Sequence, residues 1–394
     1  MTSNRWLLPE GIDEVLPLQA ARLERLRRQL LDLYAGWGYE LIMPPFIEYL
    51  DSLLTGTGND LDLQTFKLTD QLTGRMMGVR ADMTPQAARI DAHRLQRDTP
   101  VRLCYLGTVL RTRPDGFAGS RSPLQVGAEL FGHAGVESDL EILALMLETL
   151  DATGVQGTHI DLGHVGIYRS LLREAGLTPE TAGLLFDALQ RKARVEIESL
   201  LADAAISKTA RTQLAALAEL NGGVECLEEA DKVLRGAPAD VHAALDNLRR
   251  LVAGLGQRRP DLPVHLDLAE LRGYHYHTGA VFAAFVPGHG KAAVQGGRYD
   301  DIGRVFGRAR PATGFSADLK TLMMLADVEA PSEPAAIFAP CSDDAQLDAE
   351  VRRLRAAGEH VIRALPGQAG GEREMGCDRK LVKTGARWEV VAVK

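Results

Sequence analysis

Residues 101–132 read VRLCYLGTVLRTRPDGFAGSRSPLQVGAELFG, and they contain two extended apolar runs joined by a polar loop. The runs VRLCYLGTVLRT and PLQVGAELFG have the length and composition of strands. The loop between them, RPDGFAGSRS, is rich in arginine and contains two glycines. This pattern predicts two strands connected by a long, positively charged hairpin loop.

The segments on either side of this hairpin extend the same pattern. Residues 66–80 predict a second hairpin, because FKLT and RMMGVR flank a turn with Asp70 and Gly74. Further strands are predicted at YELIMPPF, VHLDLAEL, LRGYHYHTGAVFAAF and KAAVQGGRYDDI. Helical spacing is present at residues 18–35, 86–95, 137–150 and 313–326, with Thr84 as the expected cap of the second helix. Hairpin-linked strands with grouped helices predict an α+β fold on a mainly antiparallel sheet.

Composition divides the chain into two predicted domains. Residues 1–326 form the larger one, with a helical insertion over about residues 166–256, where nearly every segment is rich in Ala, Leu and Glu. DVEAPSEPAA has the composition of a linker. Residues 327–394 then predict a small α/β domain, in which IFAP, a helix over 344–357 and HVIRAL form a βαβ-like unit before WEVVAV.

Bulk properties exclude several classes of protein. The chain has 394 residues, 45 Lys and Arg against 53 Asp and Glu, and a formal net charge of -8, which gives no overall attraction to nucleic acid. No apolar run reaches the length of a membrane span, and the N-terminus has no signal-peptide core. The four cysteines are scattered without a CxxC pair, as expected for reduced thiols in a cytoplasmic protein. No metal and no cofactor are expected.

The alternating rings of YHYH, residues 274–277, raise three possibilities. In a strand, His275 and His277 would share one face, and Tyr274 and Tyr276 would share the other. Two imidazoles could ligate a metal, but no third ligand lies at a suitable spacing. A pocket for a small polar ligand and a strand of purely structural polar rings both remain open.

Polar clusters on other predicted strands favour the pocket. VRADMT places two charged residues on one strand face, LQVGAEL places three residues on one face at period two, and QGGRYDD combines a double glycine with two charged residues. The residues of these clusters are Arg80 and Asp82, then Gln125, Gly127 and Glu129, then Arg298 and Asp300. One such cluster would most simply be a surface ion-pair array, but several on separate strands predict a shared polar site.

Five segments in order resemble the catalytic core of the histidyl-tRNA synthetases, which are class II aminoacyl-tRNA synthetases. These segments are LPEGIDEVLP, VRADMTPQAAR, LCYLGTVLRTR with PLQVGAELFG, LRGYHYHTGAVF, and QGGRYDDIGRVFGRARPATGF. The resemblance covers roughly residues 8–325. It implies an antiparallel sheet of six or seven strands with flanking helices, a dimer, and histidine bound on the face of the sheet.

The resemblance also implies a set of histidine-binding residues. They are Asp82, Thr84, Arg111, Gln125, Glu129, Arg272, Tyr276 and His277. Asp82 lies where the synthetases have a glutamate for the α-ammonium, Glu129 corresponds to the carboxylate that accepts an imidazole N–H, and Arg272 to the arginine near the substrate carboxylate. His277 lies where the family has a second tyrosine, so the pocket is retained in altered form.

Two departures from the synthetase pattern concern ATP. The Arg-x-Glu of the second class II motif reads Arg111-Thr112-Arg113, and the third motif reads GFSADLKTL instead of ending in Gly-Leu-Glu-Arg. Thr321 therefore occupies the position of the arginine that clamps the γ-phosphate, with Asp318 and Lys320 nearby. Because loss of one preorganised cation typically lowers the rate ~10²–10³-fold, we expect no efficient formation of an aminoacyl-adenylate.

Together these features resemble the regulatory subunits of ATP phosphoribosyltransferase, a family of histidyl-tRNA synthetase paralogs. The resemblance implies a non-catalytic chain that pairs with a short-form catalytic subunit, binds L-histidine for feedback inhibition, self-associates as a dimer and does not use tRNA. The C-terminal segment fits this, since it resembles only the beginning of an anticodon-binding domain. A divergent, active histidyl-tRNA synthetase and a synthetase-like sensor of another amino acid remain alternatives.

Overall fold

A computed structural model describes residues 6–54, 59–114, 119–274, 276–326 and 336–393. The chain divides into two compact units, Met1–Val328 and Glu329–Lys394. Residues 327–335 of the predicted linker, the tip of the predicted hairpin loop at 115–118, and His275 lie outside the described residues.

The first unit contains strands, helices and one π-helical turn. Its strands are β1 Glu40–Leu41, β2 Ile47–Tyr49, β3 Phe66–Thr69, β4 Met76–Val79, β5 Val101–Thr108, β6 Leu124–Phe131, β7 His159–His164, β8 Asn221–Gly222, β9 Val264–Asp267, β10 Ala280–Phe285, β11 Ala292–Arg298 and β12 Ala312–Asp318. Its helices are α1 Pro17–Gly36, α2 Leu50–Leu54, α3 Asn59–Gln64, α4 Thr84–Ile90, α5 Val136–Thr153, α6 Val165–Ala175, α7 Pro179–Gln190, α8 Arg194–Asp203, α9 Lys208–Ala216, α10 Cys226–Val233, α11 Ala239–Arg258, α12 Ile302–Val305 and α13 Leu319–Leu325. The π-helical turn, Asp91–Leu95, continues α4.

Nine of these strands form one sheet in the order β1-β5-β6-β12-β11-β10-β7-β9-β8. The six central strands, from β5 to β7, pair antiparallel throughout. Parallel pairs occur where β1 joins β5 and where β9 joins β7. The predicted α+β fold on a mainly antiparallel sheet is confirmed, with more strands than the six or seven that the resemblance implied. Strands β2, β4 and β3 form a separate three-stranded sheet.

Strand β6 shows why the sheet has one apolar face and one functional face. Val126, Ala128 and Leu130 are buried in the main hydrophobic core with α1 and α5. The alternate positions, Gln125 and Glu129, are also buried but point to the other side, as the period of two in a strand requires. The predicted shared face of these polar residues is therefore confirmed.

Several predicted features of the first unit differ in the structure. Residues 313–318 belong to strand β12 rather than to a helix, because this segment pairs with both β6 and β11 at the centre of the sheet. YELIMPPF contains only the two residues of β1, since its prolines prevent a longer ladder. The Thr84 hydroxyl does not cap α4, because it lies 2.9 Å from the Tyr105 hydroxyl. The Asp82 carboxylate instead accepts the Thr84 N–H at 3.0 Å.

The second unit is a four-stranded sheet with one helix. Its elements are β13 Ala336–Ala339, α14 Ala345–Ala356, β14 His360–Arg363, β15 Cys377–Thr384 and β16 Arg387–Ala392. The strand order is β14-β13-β15-β16, and β13 and β14 pair in parallel on either side of α14 in sequence, which is the βαβ arrangement predicted. The basic segment CDRKLVKT forms β15, a strand missed in the sequence because only Cys377 and Leu381 in it are buried.

In the part of the chain that the structure describes, no helix is both long and apolar enough to cross a membrane.

A buried ion pair fastens the π-helical turn to the segment that leads into β12. Arg310 contacts both oxygens of Asp91, at 3.0 and 3.2 Å, and donates to the carbonyls of Arg97 and Thr99 at 2.8 and 2.7 Å. Both side chains are almost inaccessible to solvent. Burial raises the pKa of Asp91, although the Arg310 charge opposes that shift.

We predict that Arg310→Met lowers the free energy of unfolding by about 3–5 kcal/mol, because it leaves the Asp91 carboxylate buried without its partner. Urea denaturation at fixed protein concentration measures this change. Arg304→Met is the control, since Arg304 pairs with Asp301 in solvent and its loss should cost less than about 1 kcal/mol. Equal effects of the two substitutions would contradict the prediction.

Candidate functional site

A cavity of about 200 Å³ opens on the polar face of the central sheet. Its walls come from β6, β7, β10, β11 and β12, from the start of α4, and from the segment between β9 and β10. Its polar lining residues are Asp82, Thr84, Glu129, Asp161, Glu270, Arg272, Tyr276, His277, Gln295, Tyr299 and Ser316. The volume is below the about 300–1,000 Å³ typical of pockets for drug-sized ligands, which indicates a smaller molecule.

Glu129 is the buried centre of the cavity, with 1% of its surface exposed. One carboxylate oxygen accepts a hydrogen bond from the Tyr105 hydroxyl at 2.8 Å, and the other accepts from the Tyr299 hydroxyl. A Cβ on Gly314 of the neighbouring strand would lie only 1.6 Å from the carboxylate, so this position has room only for glycine. Burial raises the pKa of Glu129 to about 8, although the two tyrosine hydrogen bonds favour the charged form.

Asp82 lies beside Glu129 at the beginning of α4. Its Oδ1 accepts from the Thr84 backbone N–H and from the Gln125 side-chain amide at 2.7 Å. The Gln125 carbonyl oxygen in turn accepts from the Met83 backbone N–H at 2.9 Å. Gln125 is buried and does not line the cavity, so its role in this structure is to orient Asp82.

Tyr274, Tyr276 and His277 lie outside any strand, in a turn, rather than in the strand that was predicted. Gly273 has a φ of +64°, a conformation suited to glycine, and its carbonyl accepts from the backbone N–H groups of Tyr276 and His277. Strand β10 begins only at Ala280. The Arg169 guanidinium of α6 holds the turn by donating to the carbonyls of Tyr274 and His277 at 2.8 and 3.0 Å.

Because the segment turns, its two tyrosines do not share a face. Tyr274 packs against Tyr168 and Phe186 on the side of the helical insertion. Tyr276 lines the cavity and stacks on Tyr299 with ring centroids 4.9 Å apart. The Tyr276 hydroxyl is buried and has no hydrogen-bond partner among the described residues, which makes it available to a ligand.

The ring of His277 is neutral, and one of its nitrogens can accept a hydrogen bond. Its Nδ1 lies 3.3 Å from the carbonyl of Arg298, which can only accept, so the proton must be on Nδ1. Burial lowers the pKa of His277 to about 4, so the ring is uncharged at neutral pH and its Nε2 is free of a proton. A tyrosine hydroxyl at this position could donate or accept, whereas Nε2 can only accept.

Arg272 lies in the wall of the cavity among carboxylates. Its Nε donates to Glu270 at 2.9 Å, and its Nη2 lies 3.8 Å from Asp161. Asp161 also lies 3.4 Å from the ring of His265 on β9. Neither Glu270 nor Asp161 was predicted as a site residue, although Glu270 precedes Arg272 by only two residues in LAELRG.

Six of the eight predicted site residues line the cavity, and Gln125 and Arg111 do not. Arg111 is directed to the Ala81 carbonyl at 3.5 Å, and its backbone N–H donates to Arg121. The predicted shared face of Arg80 and Asp82 is wrong because β4 ends at Val79. Arg80 instead donates to the carbonyls of Thr108 and Pro44.

The QGGRYDD cluster contributes to the cavity through a different residue than predicted. Arg298 points away from the cavity and forms a buried ion pair with Asp139 at the start of α5. Asp300 accepts from Arg298 and from the Ala312 backbone N–H. Tyr299, between these two, lines the cavity. The alternation of side chains along an extended chain would have identified Tyr299, since Arg298 and Asp300 on either side of it face away from the cavity.

The residues that depart from the synthetase ATP motifs are engaged within the protein. Asp318 accepts from the backbone N–H groups of Leu124 and Lys320, and from the Thr321 hydroxyl at 3.0 Å. The Lys320 ammonium donates to the Ser122 carbonyl at 2.8 Å. Among the described residues, no group of three or more His, Cys, Asp and Glu side chains is arranged to hold a metal ion.

The cavity therefore suits a small molecule that carries both donor and charged groups. Glu129 and the His277 Nε2 can accept from N–H donors, Asp82 can bind an ammonium group, and Arg272 can bind a carboxylate. The Tyr276 and Tyr299 rings offer an aromatic wall for a planar group.

Comparisons with known proteins agree with this arrangement. The histidyl-tRNA synthetase family matches residues 11–322, and the family described as ATP phosphoribosyltransferase subunit HisZ C-terminal domain matches residues 334–391. The chain is 63% identical to an ATP phosphoribosyltransferase regulatory subunit of Alkalilimnicola ehrlichii, over 96% of this chain and 94% of the relative. It is 62% identical to that of Thioalkalivibrio sulfidiphilus, over 97% and 96%.

A solved structure shows the same fold over nearly the whole chain. It is a crystal structure of an ATP phosphoribosyltransferase regulatory subunit/histidyl-tRNA synthetase from Bacillus halodurans C. The TM-score is 0.83 at 27% identity, and the match covers 95% of this chain and 97% of the other.

We predict that Glu129 makes the stability of the free chain fall as pH rises. Its pKa in the folded chain, about 8, exceeds its ordinary value of 4.5, so between these values the folded state holds a proton that the unfolded state has released. The contribution of this group should therefore decrease by about 1.4 kcal/mol per pH unit within that window. The substitution Glu129→Gln removes this pH-dependent contribution.

Urea denaturation of both proteins at pH 5, 6, 7 and 8 measures the effect. The stability of Glu129→Gln relative to the unsubstituted chain should increase steadily across the series. A difference that stays constant with pH would show that Glu129 is already ionised in the folded chain.

Proposed function

Because the chain belongs to the family of ATP phosphoribosyltransferase regulatory subunits, we propose that it binds L-histidine in the cavity around Glu129 and transmits that signal to a catalytic subunit. In this role the chain has no catalytic activity of its own. Its partner is the short-form catalytic subunit that joins ATP and phosphoribosyl pyrophosphate in the first step of histidine biosynthesis, and histidine binding supplies feedback inhibition.

The observation that carries the proposal is the buried Glu129 carboxylate between two tyrosine hydroxyls. This carboxylate can accept a hydrogen bond from an imidazole N–H. The Nε2 of His277, which also lines the cavity, is a second acceptor. Asp82 is placed for an α-ammonium group, because its Oδ1 is fixed by Gln125 and the start of α4. Histidine has these groups and a carboxylate for Arg272.

The contacts of Asp318 and Lys320 support a non-catalytic chain. In the synthetase pattern an arginine binds the γ-phosphate, whereas Thr321 is uncharged and donates to Asp318. The neighbouring Lys320 ammonium is bonded to the Ser122 carbonyl. A negatively charged Asp318 in this segment would also repel a triphosphate.

Regulation requires that histidine bind one state of the assembly more tightly than another. A coupling free energy of about 1–3 kcal/mol would make the affinity for histidine differ roughly fivefold to 150-fold between the two states. The formal net charge of -8 supports a role that does not involve tRNA, because it gives no overall attraction to nucleic acid.

The direct test is phosphoribosyl-ATP formation by a purified short-form catalytic subunit, with and without this chain, over a range of histidine concentrations. The proposal predicts stimulation by the chain and loss of that stimulation as histidine is added. Absence of both a complex and stimulation would contradict it. Histidine-dependent pyrophosphate exchange by the chain alone would instead show an active synthetase.

We predict that Asp82→Asn raises the histidine concentration needed for inhibition by about tenfold or more, since hydrogen bonds to a charged group contribute about 1.5–3 kcal/mol. Stimulation of the catalytic subunit without histidine should be unchanged. The control is Asp301→Asn, whose side chain is exposed on the surface near α12. Inhibition that is equally sensitive to histidine in all three proteins would exclude Asp82 from the binding site.

We also propose that the chain self-associates as a dimer through apolar side chains near β1 and the three-stranded sheet. Leu41, Met43, Phe46 and Ile47 lie within seven consecutive residues and are all exposed, between 39% and 82%. Apolar residues clustered on a surface are typical of an interface, and two-fold symmetry is the commonest way for identical chains to cover them.

Met43→Asp should therefore convert the dimer to a monomer, because a charge at the most exposed of these positions would have to be buried without a partner. Size-exclusion chromatography with light scattering measures the mass. Leu365→Asp is the control, since Leu365 is also exposed but lies in the second unit. A dimer mass for Met43→Asp would exclude this surface as the interface.

A further inference from the structure

Arg272 is the one lysine or arginine among the described residues that line the cavity. Its guanidinium is already bonded to a carboxylate of the same wall, because Nε and Nη2 both donate to Oε2 of Glu270. The second oxygen of Glu270 accepts from the Arg272 backbone N–H at 2.7 Å. Glu270 therefore uses both of its oxygens on one residue.

Asp161 adds a second negative charge to the same guanidinium, at 3.8 Å from Nη2. The Glu270 side chain is only 12% exposed and that of Arg272 is 41% exposed, so solvent screens this pair less than an ordinary surface ion pair. The positive charge that a ligand carboxylate would need is thus balanced before any ligand enters. Asp82 still gives the cavity a site for a cation.

The position of Glu270 is fixed by the chain around it. Its backbone N–H donates to the Asp267 carbonyl at 3.1 Å in the turn that follows β9. A Cβ on Gly163 of β7 would lie 2.4 Å from the Cβ of Glu270, so the glutamate packs directly against that glycine. This close packing fixes the Cβ of Glu270 against β7, on the side of the cavity wall that carries Arg272.

We propose that Glu270 is an internal competitor for Arg272, and that it sets the affinity of the cavity for ligands that carry a carboxylate. The inference rests on the proposed function, in which the ligand is histidine. The ligand carboxylate must share Arg272 with Glu270 or displace it, so this contact contributes less than a free arginine would. Binding then depends chiefly on the amine and the imidazole, and histidine is bound weakly enough to report changes in its concentration.

A purely structural role for Glu270 predicts a different result. If the carboxylate only holds the turn, its removal would weaken the binding of every ligand to a similar extent. Competition for Arg272 affects only ligands that have a carboxylate. The ratio of the affinities for L-histidine and L-histidinol therefore separates competition from a structural role. In L-histidinol a hydroxymethyl group replaces the carboxylate.

The experiment is isothermal titration calorimetry of both compounds with the full chain and with Glu270→Gln. Glutamine keeps an oxygen to accept from the Arg272 backbone N–H but removes the charge. The ratio of the histidinol Kd to the histidine Kd should rise by about tenfold or more in Glu270→Gln, the change expected when an arginine is released from a charged partner. Glu141→Gln is the control, since Glu141 pairs with Arg102 outside the cavity and should leave the ratio unchanged.

Asp161→Asn provides a second test if Glu270→Gln does not fold. Its carboxylate lies farther from Arg272, so the ratio should rise by about twofold to fivefold. A ratio that stays the same in these variants, while histidine still binds, overturns the competition and leaves the proposed function intact. Failure of the unsubstituted chain to bind histidine would overturn the proposed function and this inference with it.

Discussion

The enclosure of the Glu129 carboxylate is the constraint on which the cavity depends. A carboxylate without water is costly unless donors surround it, and here the hydroxyls of Tyr105 and Tyr299 take that role. The neighbouring strand must carry glycine at position 314, because any side chain there would occupy the space of the carboxylate. Gly127 is required for the same reason, since its Cβ would lie 2.6 Å from the Tyr105 hydroxyl. The glycines and tyrosine of β5, β6 and β12, together with Tyr299 just after β11, thus form one arrangement around a single carboxyl group.

The turn that carries Arg272, Tyr276 and His277 connects this arrangement to the helical insertion. Arg169 on α6 donates to two carbonyls of the turn and lies over the ring of Tyr274, 5.0 Å from its centroid. The insertion therefore shares hydrogen bonds with the wall of the cavity. Under the proposed function, a ligand that changes the turn would act on α6 through these hydrogen bonds.

Much of the fold and part of the cavity could be predicted from the sequence, because strands β5 and β6 have a regular alternation. That pattern placed Gln125 and Glu129 on one face without any knowledge of their partners. The same expectation of alternation was wrong for Tyr274 and Tyr276, because the chain turns at Gly273, with its positive φ, and the two tyrosines separate. It also failed at residues 313–318, whose place between two strands outweighs their local helical pattern. Glu270 was missed because the sequence shows only that it precedes Arg272 by two residues, whereas the hydrogen bonds between their side chains are seen only in the fold.

The protonation of the Glu129 carboxyl group, measured with and without histidine, tests most directly whether histidine binds in this cavity. We would follow the ¹³C resonance of the Glu129 side-chain carboxyl group by NMR as the pH is raised from 5 to 10. The free chain should show a pKa of about 8, and histidine should lower it, because a donated imidazole N–H stabilises the charged carboxylate. If the pKa of Glu129 is the same with and without saturating histidine, this cavity is not the histidine site.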